Sequence, residues 1–110
     1  MAPNALMLIA LFGAHFYFDF AGQGDFMAKA KNEHAPIPGV PWDVVMVAHC
    51  AIHGAAVALI TGVWWLGALE YFTHLAADRA KCRGRIDFHQ DQGIHLLCKV
   101  AWFAVAGWLA

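Results

Sequence analysis

Histidines and carboxylates recur in this chain at a spacing of four: His15 with Asp19, His49 with His53, Glu70 with His74 and then Asp78, and Asp91 with His95. Four residues is about one helical turn, so on a helix each set stacks on one face. Imidazole nitrogen beside carboxylate oxygen suits zinc, iron or manganese, whereas calcium and magnesium prefer oxygen shells. The chemistry expected is that of one or two divalent transition-metal ions, zinc first, held by His15, Asp19, His49, His53, His74, Asp78, Asp91 and His95. His49, His53, His74 and His95 are the main ligand candidates, with Asp19 or Asp78 bridging or completing the shell. Glu70 is the candidate general base, because a deep apolar setting suits a carboxyl to proton transfer near neutral pH. The spacings match neither the Glu-x-x-His of dinuclear helical bundles nor the His-Glu-x-x-His of zinc proteases.

The elements that must carry these residues are apolar. The chain has 110 residues, enough for one domain, and is 61% hydrophobic but only 14% charged, against about 25% charged in soluble domains. Its mean hydropathy is +0.53. A formal net charge of -1, with Lys and Arg at loop positions, argues against nucleic acid as a partner. Cys50, Cys82 and Cys98 form no CxxC pair and are odd in number, which argues against a disulfide framework. Cys50 and Cys82 read as packing residues, while Cys98, three after His95, is an outside ligand candidate. The opening Met1-Ala2-Pro3-Asn4 lacks the basic region of a secretory signal, so the first apolar segment is expected to be retained.

The pattern predicts an all-α fold, a transmembrane four-helix bundle with a polar His/carboxylate core, in a single membrane domain over 1–110. Helices are expected at about 5–22, 43–60, 64–82 and 89–110, joined by polar connections at about 23–42 and 83–88. Asp25 to Lys31 fits a short interfacial helix, and Pro36, Pro38, Gly39 and Pro41 exclude regular structure after it. Gly54, Ala58 and Gly62 form a small-residue row that lets another helix come close, and Thr61-Gly62-Val63 is the expected tight turn. Both connections carry Lys or Arg, which places them in the cytoplasm and both termini in the periplasm of a bacterial inner membrane. With ~1.5 Å of rise per residue, His15, His49, His74 and His95 then reach one level, roughly 9 to 12 Å inside. Asp19, Asp78 and Asp91 fall a turn nearer the cytoplasm, and His53 and Glu70 a turn deeper. The polar layer should therefore open toward the cytoplasm.

A buried Asp costs about 2.5 to 3.5 kcal/mol at the centre of a spanning helix, so such groups turn inward. Four carboxylates with few internal cations would repel one another unless protonated or bridged by metal. The alternative is a metal-free hydrogen-bonded network that fixes helix register or relays protons. His34 and His89 lie in or beside loops and are expected to be solvated, while Gln23 and Gln92 could orient a histidine. Lys99 could snorkel, pair with a carboxylate or face a partner chain. Arg79, Lys81 and Arg83 fit either a headgroup phosphate or simple anchoring at the interface.

The motifs His15-x-x-x-Asp19-Phe20-x-x-Gln23, Asp25-Phe26-Met27-Ala28 with Lys31, His49-x-x-x-His53, Glu70-x-x-x-His74-x-x-x-Asp78-x-x-Lys81 and Asp91-Gln92-x-x-His95, in that order, resemble domain-of-unknown-function family 3307. The resemblance covers nearly the whole chain and departs in the longer connection Ala35 to Pro41. It implies a small four-span membrane protein of bacteria or their phages and supplies no activity. The function expected is a metal-dependent hydrolase of a lipid or isoprenoid-linked substrate reached from the cytoplasmic leaflet. The alternatives are a metal-free polar network in a small transporter or proton relay, or a phage-encoded membrane interaction protein. The expected partners are the lipid bilayer, a lipid-like substrate and a second copy in a homo-oligomer.

Overall fold

The computed structural model describes residues 3–110, which form helices and connections without a strand. Helix α1, Ala5–Phe16, starts where the Asn4 side chain accepts the Met7 N–H at 3.2 Å, satisfying one of the amide donors left free at a helix start. After Phe16 the chain widens into a π-helical turn, Tyr17–Ala21, closed by the Gly22 N–H on the Tyr17 carbonyl at 2.6 Å. Gly24 has a φ of 70°, a conformation that glycine adopts without strain. There α2, Gly24–Ala30, departs at 83° to the preceding segment.

Pro36, Pro38 and Pro41 offer no amide donor, and the chain stays irregular until α3, Trp42–Thr61. At the expected tight turn Gly62 takes a left-handed φ of 73°, and Thr61 Oγ1 accepts the Val63 N–H at 3.2 Å. Helix α4, Trp64–Cys82, follows at once. Helix α5, Phe88–Leu109, opens with a reciprocal cap in which Asp87 accepts the Gln90 N–H at 2.7 Å and Gln90 accepts the Asp87 N–H at 2.9 Å.

Helices α1 and α4 each pack on both α3 and α5. The α3–α4 pair is drawn together by glycine: a Cβ on Gly67 would stand 2.5 Å from the Gly54 carbonyl oxygen and 2.7 Å from the Ala58 Cβ. The small-residue row of α3 thus receives a matching glycine from α4. One end of the bundle is filled by Met7, Leu11, Val57, Leu66, Trp102 and Ala106. The other half is filled by polar side chains. Outside, Leu6, Ile9, Leu59, Trp64, Leu97 and Trp108 are exposed, an apolar coat suited to lipid.

By length and composition α3 and α5 can each cross a membrane, and the bent pair Ala5–Ala21 with Gly24–Ala30 adds a third span if it crosses as one. Helix α4 does not meet that test, because Glu70, Asp78, Arg79 and Lys81 interrupt its 19 residues. The fold is all-α as expected, with two or three candidate spans where the sequence pattern led to four.

Candidate metal centre

Each polar face enters the bundle from its own element. The end of α1 carries His15, the π-helical turn Asp19, α3 His49 and His53, α4 Glu70, His74 and Asp78, and α5 Asp91 and His95. None of the nine is more than 6% exposed. Asp19 lies within the π-helical turn and is buried while its neighbours Tyr17, Phe20 and Ala21 are exposed, and such one-turn widenings concentrate at functional sites.

The tightest group forms around one carboxylate oxygen. Asp19 Oδ1 lies 3.2 Å from His49 Nε2, 3.3 Å from His53 Nε2 and 3.5 Å from His74 Nε2. The His49 and His74 Nε2 atoms are 3.1 Å apart, and all four atoms lie within 4.8 Å of one another. Imidazole nitrogen and carboxylate oxygen in this number are donors that zinc takes. Asp19 Oδ1 and His53 Nε2 are buried without a hydrogen-bond partner among the described residues, a costly condition that a bound cation would remove.

Behind His74 stands Glu70. Its Oε2 is 3.0 Å from His74 Nδ1; with an ionised carboxylate as acceptor, Nδ1 carries the proton and Nε2 keeps the lone pair a metal needs. The other oxygen, Oε1, accepts from Lys99 Nζ at 2.7 Å and Trp102 Nε1 at 2.9 Å. Glu70 is therefore held on both oxygens, not in the bare apolar setting the sequence led us to expect for it. Lys99 takes the second of its three expected roles, pairing with a carboxylate.

A second group adjoins the first. His95 Nε2 lies 3.1 Å from Asp91 Oδ1, and neither atom has a hydrogen-bond partner among the described residues. Combinations of Asp19, Asp91 and His95, and of Glu70, His74 and His95, also offer converging ligand atoms. Asp78 lies between the groups, with Oδ2 at 3.2 Å from His49 Nε2 and Oδ1 at 3.7 Å from His95 Nε2. His15 stands further back: its Nε2 meets Gln92 Oε1 at 2.9 Å, and the Gln92 amide donates to Asp19 Oδ2 at 2.7 Å. Gln92 thus orients both, and Gln23 donates at 2.7 Å to the Asp19 backbone carbonyl.

The sequence reading missed Lys31. Placed there in a polar connection, it is 6% exposed and donates to Asp78 Oδ2 at 2.6 Å. Its signals were its place at the end of the short helix α2 and its part in the motif that follows Asp25-Phe26-Met27-Ala28. Buried Lys31 and Lys99 pair with two of the four buried carboxylates, Asp78 and Glu70, and leave Asp19 and Asp91 without a buried lysine at salt-bridge distance among the described residues. A cation bound among the imidazoles would offset that acid. Outside the centre, Arg79 and Arg83 bind Glu33 of the first connection, at 3.0 Å and 3.3 Å. Desolvation alone would raise the Glu33 carboxyl, but the Arg79 guanidinium holds it below its ordinary value.

Residues 7–110 match the model of a family described as protein of unknown function (DUF3307). No curated protein and no solved structure matches the chain.

Proposed function

The chain belongs to the DUF3307 family, whose description assigns no activity, and we propose from the site alone that it is a multi-pass membrane protein that binds one divalent transition metal, zinc in the first place. Asp19, His49, His53 and His74 are the ligands in this reading. The observation that carries it is the convergence of their four donor atoms, two of them buried without a hydrogen-bond partner among the described residues. We place the protein in the bacterial inner membrane with four spans. Helix α4 crosses with Glu70 and Asp78 turned to the centre and Arg79 and Lys81 in its cytoplasmic last turn, the polar connections are cytoplasmic and both termini are periplasmic.

A divalent ion held there with one coordination position left to water would supply Lewis acidity and acidify that water toward neutral pH, which suits hydrolysis of an ester or phosphoryl bond in a lipid or isoprenoid-linked substrate. The chain's own residues do the rest. Glu70, anchored by Lys99 and Trp102, fixes the tautomer and direction of His74. Asp91 with His95 is the pair free to hold and move a proton, since neither Asp91 Oδ1 nor His95 Nε2 has a hydrogen-bond partner among the described residues. In this reading Asp91 takes the part of general base first given to Glu70. A metal-free network in a proton relay or interaction protein is the second reading, favoured by the two lysines that neutralise half of the acid. Against a through-path stands the apolar cluster of Met7, Leu11, Val57, Leu66, Trp102 and Ala106 at the other end of the bundle.

Elemental mass spectrometry on tag-free, detergent-purified protein tests the proposal. The expected result is about one equivalent of zinc, iron or manganese in the wild type, lost in a His49→Ala/His74→Ala variant that stays folded. Wild-type protein that takes up no metal after reconstitution would remove the hydrolase reading and leave the metal-free network.

A further inference from the structure

A cleft of about 200 Å³ opens beside α2 and α4, lined by Gln23, Lys31, Asn32, Asp78, Lys81 and Cys82. Asp78 is at once a wall of this cleft and a neighbour of His49 and His95, so the cleft leads from the surface to the metal centre. Its two cations stand on different elements, Lys31 just after α2 and Lys81 in the last turn of α4. Lys31 is buried against Asp78 Oδ2 at 2.6 Å, whereas the Lys81 side chain is 38% exposed and 3.9 Å from Asp91 Oδ2.

Lys31 and His49 share that one carboxylate oxygen, His49 Nε2 lying 3.2 Å from Asp78 Oδ2. A divalent cation on His49 therefore comes within reach of the same oxygen, and two positive charges around one carboxylate repel. The lysine has a flexible stem and an adjoining cleft to turn into. Once turned, it shares a small polar space with a second lysine, while Asp78, the carboxylate of the cleft wall, is drawn toward the metal. What that space then lacks is an anion, and two lysine point charges suit a phosphoryl group. Gln23 Oε1, buried without a partner among the described residues, adds an acceptor for a hydroxyl or protonated phosphate oxygen.

We propose that this cleft is a phosphoryl-binding seat completed by metal loading, with Lys31 and Lys81 as its cations, so that metal and phosphoryl ligand bind cooperatively. The inference rests on the metal reading above and gives the substrate of that site its head: a phosphate monoester or diphosphate rather than a neutral ester. Reciprocity requires that each ligand tighten the other by one factor.

The test is calorimetric titration of zinc-loaded protein, freed of unbound metal, and of metal-free protein, with inorganic phosphate, short-chain phosphatidic acid and phosphatidylcholine of the same chains. Metal content is measured on the same samples. Phosphate should bind the loaded form at least about tenfold tighter, a coupling of ordinary size. Lys81→Met, a substitution at a half-exposed position, should remove most of that gain with metal content unchanged, and Lys31→Met should remove it fully. Phosphatidic acid tighter than phosphate marks a lipid headgroup as the source, and equal affinity marks the free anion; both support the seat. Metal held but phosphate indifferent to loading, or to both lysine variants, overturns this inference alone, as does phosphatidylcholine binding as tightly as phosphatidic acid. Failure to hold metal at all overturns the metal reading and this coupling together.

Discussion

The two halves of the bundle are built by the same four long helices on opposite logics. At the apolar end Met7, Leu11, Val57, Leu66, Trp102 and Ala106 fill space, and near them the Gly54–Gly67 crossing fixes how closely α3 and α4 approach. There shape is the constraint, and any group of the right volume serves. At the polar end buried side chains are held by specific partners, as Glu70 is by Lys99, Trp102 and His74, or stand with a polar atom unpaired among the described residues, as His53 does. There charge is the constraint, and removing one partner strands another in a medium without water. The comparison shows where this small chain keeps its stability and where it keeps its chemistry, with Glu70 and Trp102 joining the two.

The largest effect should come from breaking the shape side. Gly67→Val places a side chain into the Gly54 carbonyl and should leave little folded protein, read as loss of the monodisperse species on size exclusion. Gly93→Ala, where nothing lies within 4 Å, should be neutral or stabilising by up to about 1 kcal/mol. Next comes the charge side: Lys99→Met leaves Glu70 without its cation and should cost about 3 to 5 kcal/mol in thermal or chemical unfolding. Adding Glu70→Gln to it should restore much of the stability but not the metal, which separates holding the fold from holding the ion. Glu70→Gln alone should weaken metal affinity by about 10 to 100-fold in a competitive chelator titration while the protein stays folded. A variant with unchanged affinity would show that His74 needs no orienting group.

The smallest effect belongs to the rim. The folded Glu33 carboxyl sits below its ordinary value, so the stability it adds is present above the unfolded value and is lost as pH falls through the folded one. Glu33→Gln should therefore lower Tm slightly at neutral pH and not in acid, with metal content unchanged. A difference that grows on acidification would contradict the Arg79 pairing.

Much of this comparison was legible in the sequence because a period of four is a geometric statement. His49 with His53, and Glu70 with His74, had to share helix faces, and the cost of burying them in an apolar chain turned those faces inward. What spacing cannot carry is the identity of partners across helices. Lys31 looked like a loop residue until the 83° turn into α2 brought that segment back against α4. Glu70 looked solitary because Lys99 and Trp102 lie 29 and 32 residues away. Helix α4 shows a limit of another kind: the residues that make it part of the site are those that lower its hydropathy, so site and span compete in one segment. Nor does any residue pattern announce a π-helical turn.

That turn at Tyr17–Ala21 has an evolutionary consequence. It carries one residue more than an α-helix needs, and it lies beyond Met7 and Leu11, which key into the apolar end, with Asp19 of the centre inside it. Loss of a single codon there would restore α-helical bonding with the chain on either side nearly in phase. The same return to α-helical bonding without that loss would swing one side against the other by about 100°, one residue's share of a 3.6-residue turn. The widened turn is thus inherited as chain length, added or removed in one step of insertion or deletion.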